Sequence, residues 1–101
     1  MRFIRILAGA ARDLERGRAF YDGLAEGLGD RFMNSIVGDL ERLRLLHGIH
    51  ARHFGLHRML AERFPFGIYY RDLEHETVVF AILDLRRNPN WIRKELGERN
   101  R

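Results

Sequence analysis

The 101 residues include no cysteine, which excludes disulfides and thiolate metal sites and fits a reducing compartment. No apolar run approaches the roughly 20 residues needed to span a bilayer. The first residues, Met1 to Leu7, mix charged with apolar side chains, so they do not resemble a signal peptide. We therefore expect a cytoplasmic protein with no membrane partner, and a single domain over residues 1–101.

Lysine is almost absent as well: of the 18 basic residues only Lys94 is lysine, and the rest are arginine. Acidic residues number 14, which leaves a net charge of +4. A basic, arginine-rich surface favours acidic partners, because a guanidinium group can bind a carboxylate or a phosphate through two donors. A GC-rich genome would produce the same bias, so the bias indicates a class of partner and nothing finer.

The first half of the chain predicts a short strand followed by two helices. Residues 3–7 alternate like a strand, and residues 10–26 repeat their apolar side chains at helical spacing. Gly27-Leu28-Gly29 should end that helix, and Asp30 should cap the next one. The apolar stripe of the second helix contains Phe32, Ile36, Leu40 and Leu43. Because the link is short, the two helices should form an antiparallel hairpin.

The second half predicts three strands and a short helix. The expected strands are His57 to Ala61, Phe66 to Arg71 and Thr77 to Leu85, and the last is apolar on both faces, as in a central strand. Asn88-Pro89 is typical of a helix start, and Gly97 could end that helix.

Three segments carry a resemblance to a known family. They are Asp13-Leu14 with Phe20-Tyr21, Gly27-Leu28-Gly29 and Phe32; Arg58-Met59-Leu60 with Arg63 to Arg71; and Val79 to Asp84 with Arg86-Arg87-Asn88-Pro89 and Trp91. In this order and spacing the chain resembles the RelE/ParE superfamily of toxins from type II toxin–antitoxin systems, and it is closer to ParE.

The resemblance implies an α+β fold in which an N-terminal strand and a helical hairpin pack on a mostly antiparallel, three- to four-stranded sheet, with a short C-terminal helix. The element order predicted above agrees with it. The resemblance also implies an acidic antitoxin, ParD-like or of another DNA-binding type, in a toxin–antitoxin hetero-oligomer, and it implies no cofactor.

Two activities occur in this superfamily, inhibition of DNA gyrase by ParE-type proteins and ribosome-dependent mRNA cleavage by RelE-type proteins. Metal-free RNA cleavage needs a base, an acid and cations around the phosphate. Arg58 and Arg86 occupy positions where the RNA-cleaving branch carries basic residues, but no Tyr or His follows Arg87. Asp84 stands where many relatives have His, and its carboxylate would repel phosphate. We therefore expect a gyrase inhibitor, with an mRNA endonuclease or a non-toxic antitoxin-binding relative as alternatives.

Five residues are candidate contacts for the antitoxin or the target, and we expect the strand arginines among them to gather on one patch beneath the hairpin. These residues are Arg58, Tyr70, Arg86, Arg87 and Trp91. Each has a structural alternative. Arg58 could pair with Glu62 or Asp84, the Arg86-Arg87 pair could be a solvated strand end, and Trp91 could belong to the core.

Four histidines are spaced three, three and four residues apart: His47, His50, His53 and His57. On one helix several of them could share a face and bind zinc. Gly48 and Gly55 interrupt such a helix, and no carboxylate joins the histidines at a recognised metal-site spacing. We therefore expect solvent-facing or capping histidines and no metal, and the role of residues 47–57 stays open.

Overall fold

The chain forms a five-stranded sheet with helices on both of its faces, in a computed structural model that describes residues 1–101. The elements in chain order are β1 (Phe3–Ile6), α1 (Ala8–Leu24), α2 (Leu28–Leu46), β2 (Arg52–His53), β3 (Leu56–Leu60), β4 (Phe66–Asp72), β5 (Glu76–Asp84) and α3 (Pro89–Arg99). The predicted α+β class and the predicted element order are confirmed, with the two-residue β2 as an additional strand. No helix combines the length and the apolar character that crossing a membrane requires.

The strands lie in the order β1-β5-β4-β3-β2. Only β1 and β5 are parallel, and the other neighbours are antiparallel. β5 lies between β1 and β4, which explains why its sequence is apolar on both faces. Opposite Tyr69 and Tyr70 the register of β5 shifts by one residue and leaves Phe80 as the extra residue of a β-bulge.

The α1–α2 hairpin covers one face of the sheet. Its helices contribute apolar side chains that recur every three or four residues, so each helix presents one stripe to the strands. The buried cluster on this face contains Ala10, Leu14, Tyr21, Phe32, Ile36, Leu40 and Leu43 from the hairpin, with Met59, Phe66, Ile68, Tyr70, Val79 and Ile82 from the sheet.

Helix α3 covers part of the opposite face. Its two buried residues, Ile92 and Leu96, belong to a second cluster with strand residues of that face. Those strand residues are Leu56, Tyr69, Ala81 and Leu83. As expected for neighbours in a strand, Tyr69 and Tyr70 point to opposite faces, and both are buried.

Two predicted helix boundaries are wrong. Helix α2 begins at Leu28, and Asp30 lies in its first turn instead of capping it. The amides of Gly27 and Gly29 donate to the Asp22 carboxylate of α1, at 3.1 and 3.2 Å, so the preceding helix supplies the cap. Gly27 has a φ of 85°, a conformation that favours glycine at this turn.

At the other end of the chain, α3 continues past Gly97 to Arg99. Arg99 bonds Glu95 one turn earlier and also Asp13 in α1, which holds the last turn in helical form. Asn88 caps the start of α3 by accepting from the amide of Asn90 at 2.8 Å, as predicted.

One edge of β5 is left open where β1 turns into α1. The Leu7 amide donates to the Val79 carbonyl at 3.1 Å, and beyond that point no strand pairs with this side of β5. Asp13 accepts from the Ile82 amide at 2.9 Å, and Arg99 donates to the Phe80 carbonyl at 3.3 Å. Side chains thereby satisfy backbone groups that a sixth strand would otherwise bind.

Asp13 and Arg99 also bond each other, through two contacts of 2.6 and 2.9 Å. The pair is largely buried, since the side chain of Asp13 is 4% exposed and that of Arg99 is 16% exposed. Removing one partner of such a pair leaves a charge and an amide without partners, which is costly in a poorly hydrated site.

Replacing Asp13 with alanine is therefore expected to lower the free energy of unfolding by about 3 kcal/mol. Urea denaturation at pH 7 measures this. The matched control is Asp30→Ala, which breaks the exposed Arg18–Asp30 pair (3.1 Å) and should cost no more than about 1 kcal/mol. Equal losses in the two variants would show that the buried pair does not stabilise the fold as described.

Candidate partner-binding groove

A cavity of about 310 Å³ lies at the open edge of β5, between α1 and α3. Its apolar lining comes from one exposed residue of α1, two strand residues and one residue of α3: Phe20, Phe66, Leu83 and Trp91. Phe20 is 52% exposed although it is a large apolar side chain. Exposed aromatic surface in a concave site is typical of a place where a partner side chain binds.

A second cavity, of about 410 Å³, continues along the same two helices and shares Arg16 with the first. Arg12 and Phe80 also line it, and the Asp13–Arg99 pair lies at the junction of the two cavities. We call the two cavities together the edge groove. It follows the open side of β5 from the end of β1 toward Asp84.

Three arginines of the edge groove have no acidic partner within the chain. Arg12 and Arg16 form no ion pair, and Arg87 stacks its guanidinium on the Trp91 ring at 3.9 Å. Most of the acidic side chains that line the groove are paired, since Asp13 and Glu95 bond Arg99 and Asp84 bonds Arg86, which leaves Glu98 as the lining carboxylate without an ion pair. The groove therefore combines an apolar floor with unpaired positive charge.

Arg86 is held at the strand end. It donates to both carboxylate oxygens of Asp84, at 3.0 and 2.7 Å, and to the Tyr21 hydroxyl at 3.3 Å. The hydrogen bonds from Arg86 hold the pKa of Asp84 below its ordinary value, although burial acts in the opposite direction. At neutral pH, Asp84 is thus an ionised partner that offsets the charge of Arg86.

Arg58 lies elsewhere. It pairs in register with Tyr69, whose side chain belongs to the α3 face, whereas Arg86 reaches Tyr21 on the hairpin face. The expected patch shared by the strand arginines is therefore wrong, because the two guanidinium groups belong to opposite faces of the sheet. The suggested pairing of Arg58 with Glu62 or Asp84 is also wrong. Glu62 pairs with Arg42 and Asp84 pairs with Arg86, and the buried Nε of Arg58 has no hydrogen-bond partner.

Tyr70 is fully buried, so the partner contact predicted for it is not accessible in this structure. Its hydroxyl accepts from the Gly48 amide at 2.9 Å and bonds His50 Nδ1. Tyr70 thus ties the segment after α2 to the sheet. Of the five predicted contacts, Arg86, Arg87 and Trp91 lie together at the end of β5, and Arg58 and Tyr70 are separate from them.

His47, His50, His53 and His57 are all partly buried, and all of them except His53 are hydrogen-bonded, so the solvent-facing alternative is wrong, whereas His47 does occupy the C-cap position of α2. His57 Nδ1 lies 2.7 Å from the His50 carbonyl, and His47 Nδ1 lies 2.8 Å from the Asp72 carboxylate. These bonds anchor residues 47–57 to the ends of β3 and β4. No three side chains of His, Cys, Asp or Glu are grouped in a way that could hold a metal ion.

Sequence reasoning missed Arg12, Arg16 and Phe20, which line the edge groove from α1. Phe20 carried a usable signal, since it is a large apolar residue that falls outside the apolar stripe of its helix. The arginines carried none, because charged side chains on the outer face of an amphipathic helix are ordinary.

Comparison with solved structures gives a match to a chain of the chromosomal ParDE TA (toxin–antitoxin) system from P. aeruginosa. The TM-score is 0.67 and the sequence identity 21%, and the match covers 81% of this chain and 94% of that chain. No family model matches the sequence, and no curated protein matches it significantly.

A helical hairpin on a mostly antiparallel sheet with a C-terminal helix is therefore an arrangement that this chain shares with a toxin–antitoxin structure. Its fold is ParE-like. The resemblance predicted from the sequence is confirmed at the level of the fold.

The His50–Tyr70 bond predicts a pH-dependent stability. Burial lowers the pKa of His50 from its ordinary value of 6.5, and the positive charges of His57 and Arg42 lower it further, while Asp72 raises it. Neutral His50 therefore contributes stability that is complete above pH 6.5 and is lost as the pH falls through the lower folded-state pKa.

NMR titration of the His50 ring should show a midpoint below 6.5. In urea denaturation, the His50→Gln variant should lose less stability between pH 7 and pH 5 than the wild type. A His50 midpoint at or above 6.5 would contradict the assignment.

Proposed function

We propose that this chain is the toxin of a type II toxin–antitoxin pair and that the edge groove binds an acidic segment of a ParD-like antitoxin. The observation that carries the proposal is the combination of an apolar floor with unpaired arginines along an open strand edge. The ParE-like fold supports it. Such pairs act in the cytoplasm, which is the location we propose here.

The groove determines the kind of segment that fits. Large apolar side chains would contact Phe20 and Trp91, and carboxylates placed between them would reach Arg12, Arg16 and Arg87. Charge-assisted hydrogen bonds between Arg and carboxylate are among the stronger polar contacts. Aromatic residues and arginine are also the residues that most often dominate the binding energy of an interface. An amphipathic, acidic antitoxin segment meets both requirements.

We propose further that the toxin acts by binding DNA gyrase and has no catalytic centre of its own. Cleavage of RNA would need Arg58 and Arg86 around one phosphate, and these residues lie on opposite faces of the sheet. Arg86 is in addition neutralised by Asp84. The arrangement therefore offers no support for the endonuclease alternative.

The groove assignment predicts that Phe20→Ala weakens binding of the antitoxin about tenfold or more, because a buried aromatic contact contributes above 1 kcal/mol to an interface. Isothermal titration calorimetry with the acidic segment of the antitoxin measures the effect. The control is Leu24→Ala, also on α1 and 63% exposed, which does not line the cavity and should bind normally. Equal affinity of the wild type and Phe20→Ala would place the antitoxin elsewhere.

The target assignment predicts that the purified protein inhibits supercoiling by purified gyrase or traps cleaved DNA, and that added antitoxin reverses the effect. Primer extension on translated mRNA should show no new cuts. Cuts that disappear in Arg58→Ala and Arg86→Ala would instead identify an endonuclease. Harmless overexpression without the antitoxin, together with tight antitoxin binding, would identify a non-toxic relative.

A further inference from the structure

We infer that the outer edge of β1 is a self-association surface, on which a second copy of this chain adds its own β1 antiparallel to the first. β1 is the outermost strand on its side of the sheet, next to β5. A strand in this position exposes backbone amides and carbonyls that a further strand can bind. Self-association concerns the chain alone and is independent of the antitoxin and the target, so the two proposals can fail separately.

The backbone groups that face outward on β1 belong to Ile4 and Ile6. The amides of Phe3 and Leu7 donate to carbonyls on the β5 side, at 3.2 and 3.1 Å. Because the direction of the backbone groups alternates along a strand, residues 4 and 6 point away from β5, where the sheet has no further strand. Their amides and carbonyls are therefore free to pair with another chain.

The other open edges of the sheet are protected, and the edge of β1 is not. At the opposite edge, β2 has only two residues, of which Arg52 is charged and exposed. The open half of β5 is closed by Asp13 and Arg99, which bind its backbone groups. β1 instead exposes apolar side chains, since Phe3 is 63% and Ile6 is 37% exposed. Natural sheets usually place charges, bulges or covering segments at such an edge.

The charged side chain within β1 is already neutralised. Arg5 donates to both oxygens of the Glu76 carboxylate, at distances of 2.9 to 3.2 Å. Arg2, just before the strand, donates to the carbonyls of Leu73 and Glu74 at 3.0 Å, so its charge is directed toward the β4–β5 turn. The edge is therefore apolar and nearly uncharged, and it does not favour the acidic partners that suit the unpaired arginines elsewhere. A second copy of the same apolar strand matches it.

One register uses all the free backbone groups. Antiparallel pairing centred on Arg5 places Ile4 opposite Ile6 of the second copy, and residues paired in this way exchange both of their backbone hydrogen bonds. The two-fold axis between the copies repeats the pair and doubles the number of bonds. The carbonyl of Arg2 is not needed, and it already accepts from the Arg44 guanidinium at 2.7 Å. That contact marks the end of the available edge.

The side chains are compatible with this register. Phe3 and Leu7 point to the same face of β1 as Arg5, so the exposed Phe3 ring of one copy would contact Leu7 of the other. The two Arg5 side chains lie opposite each other, and the Glu76 carboxylate bound to each of them balances its charge. Because the paired strands are short, we expect a weak association, with a dissociation constant on the order of 100 µM.

The test uses the full chain without antitoxin, in sedimentation equilibrium and in amide hydrogen exchange followed by NMR. We expect monomers at about 10 µM and mostly dimers at about 1 mM. The amides of Ile4 and Ile6 should exchange slowly only in the dimer, whereas those of Phe3 and Leu7 should be protected at both concentrations because they bond within the chain. Exchange of Ile4 and Ile6 that does not depend on concentration would overturn the proposal.

The variant Ile6→Pro removes an outward amide that the sheet of the monomer does not use, so it should weaken the dimer about tenfold or more while the monomer still folds. Phe3→Ser tests the same edge without a change of backbone and should also weaken the dimer. The matched control is Leu60→Thr, which removes an apolar side chain of β3 that is 55% exposed and should leave the dimer unchanged. A dimer that Ile6→Pro and Phe3→Ser leave intact, or one that Leu60→Thr weakens equally, would show that another surface mediates it. A monomer at every concentration would also overturn the proposal.

Discussion

The Asp13 carboxylate is the contact on which the arrangement of this molecule depends. Asp13 lies in α1 and accepts one hydrogen bond from the Ile82 amide of β5 and two from the guanidinium of Arg99 in α3. It therefore joins α1 and α3, which cover opposite faces of the sheet. The carboxylate accepts from the Ile82 amide, which would otherwise donate to a further strand. The open edge of β5 therefore has no unsatisfied amide at this position. The two helices then stand on either side of that edge as the walls of a groove.

The parts of the fold that depend on local pattern could be predicted from the sequence. The stripes of α1 and α2, the apolar β5 and the Asn88 cap follow from spacing and from turn chemistry. The start of α2 could not, because its cap comes from Asp22, eight residues before the expected Asp30. The end of α3 depends on the contact of Arg99 with Asp13, which is distant in sequence. The local sequence pattern therefore could not predict this boundary either.

The residues of the candidate site were likewise predictable only where they are close in sequence. Arg86, Arg87 and Trp91 are close in sequence, so their proximity was predictable. Whether Arg58 joins them depends on strand register and on the face each residue occupies, and here it does not. Tyr70 and the histidines form a hydrogen-bonded end of the sheet whose partners lie up to 25 residues apart, a separation that no spacing rule reveals.

The central claim is that a partner binds along the open edge of β5. The most direct test is an amide NMR spectrum of the labelled protein with and without the acidic antitoxin segment. We predict shifted amides in the second half of β5, in α1 from Arg12 to Phe20 and around Trp91, with unchanged amides at the far end of β4 around Asp72. Shifts confined to the outer edge of β1, to β2 or to the outer surface of α2 would contradict the claim.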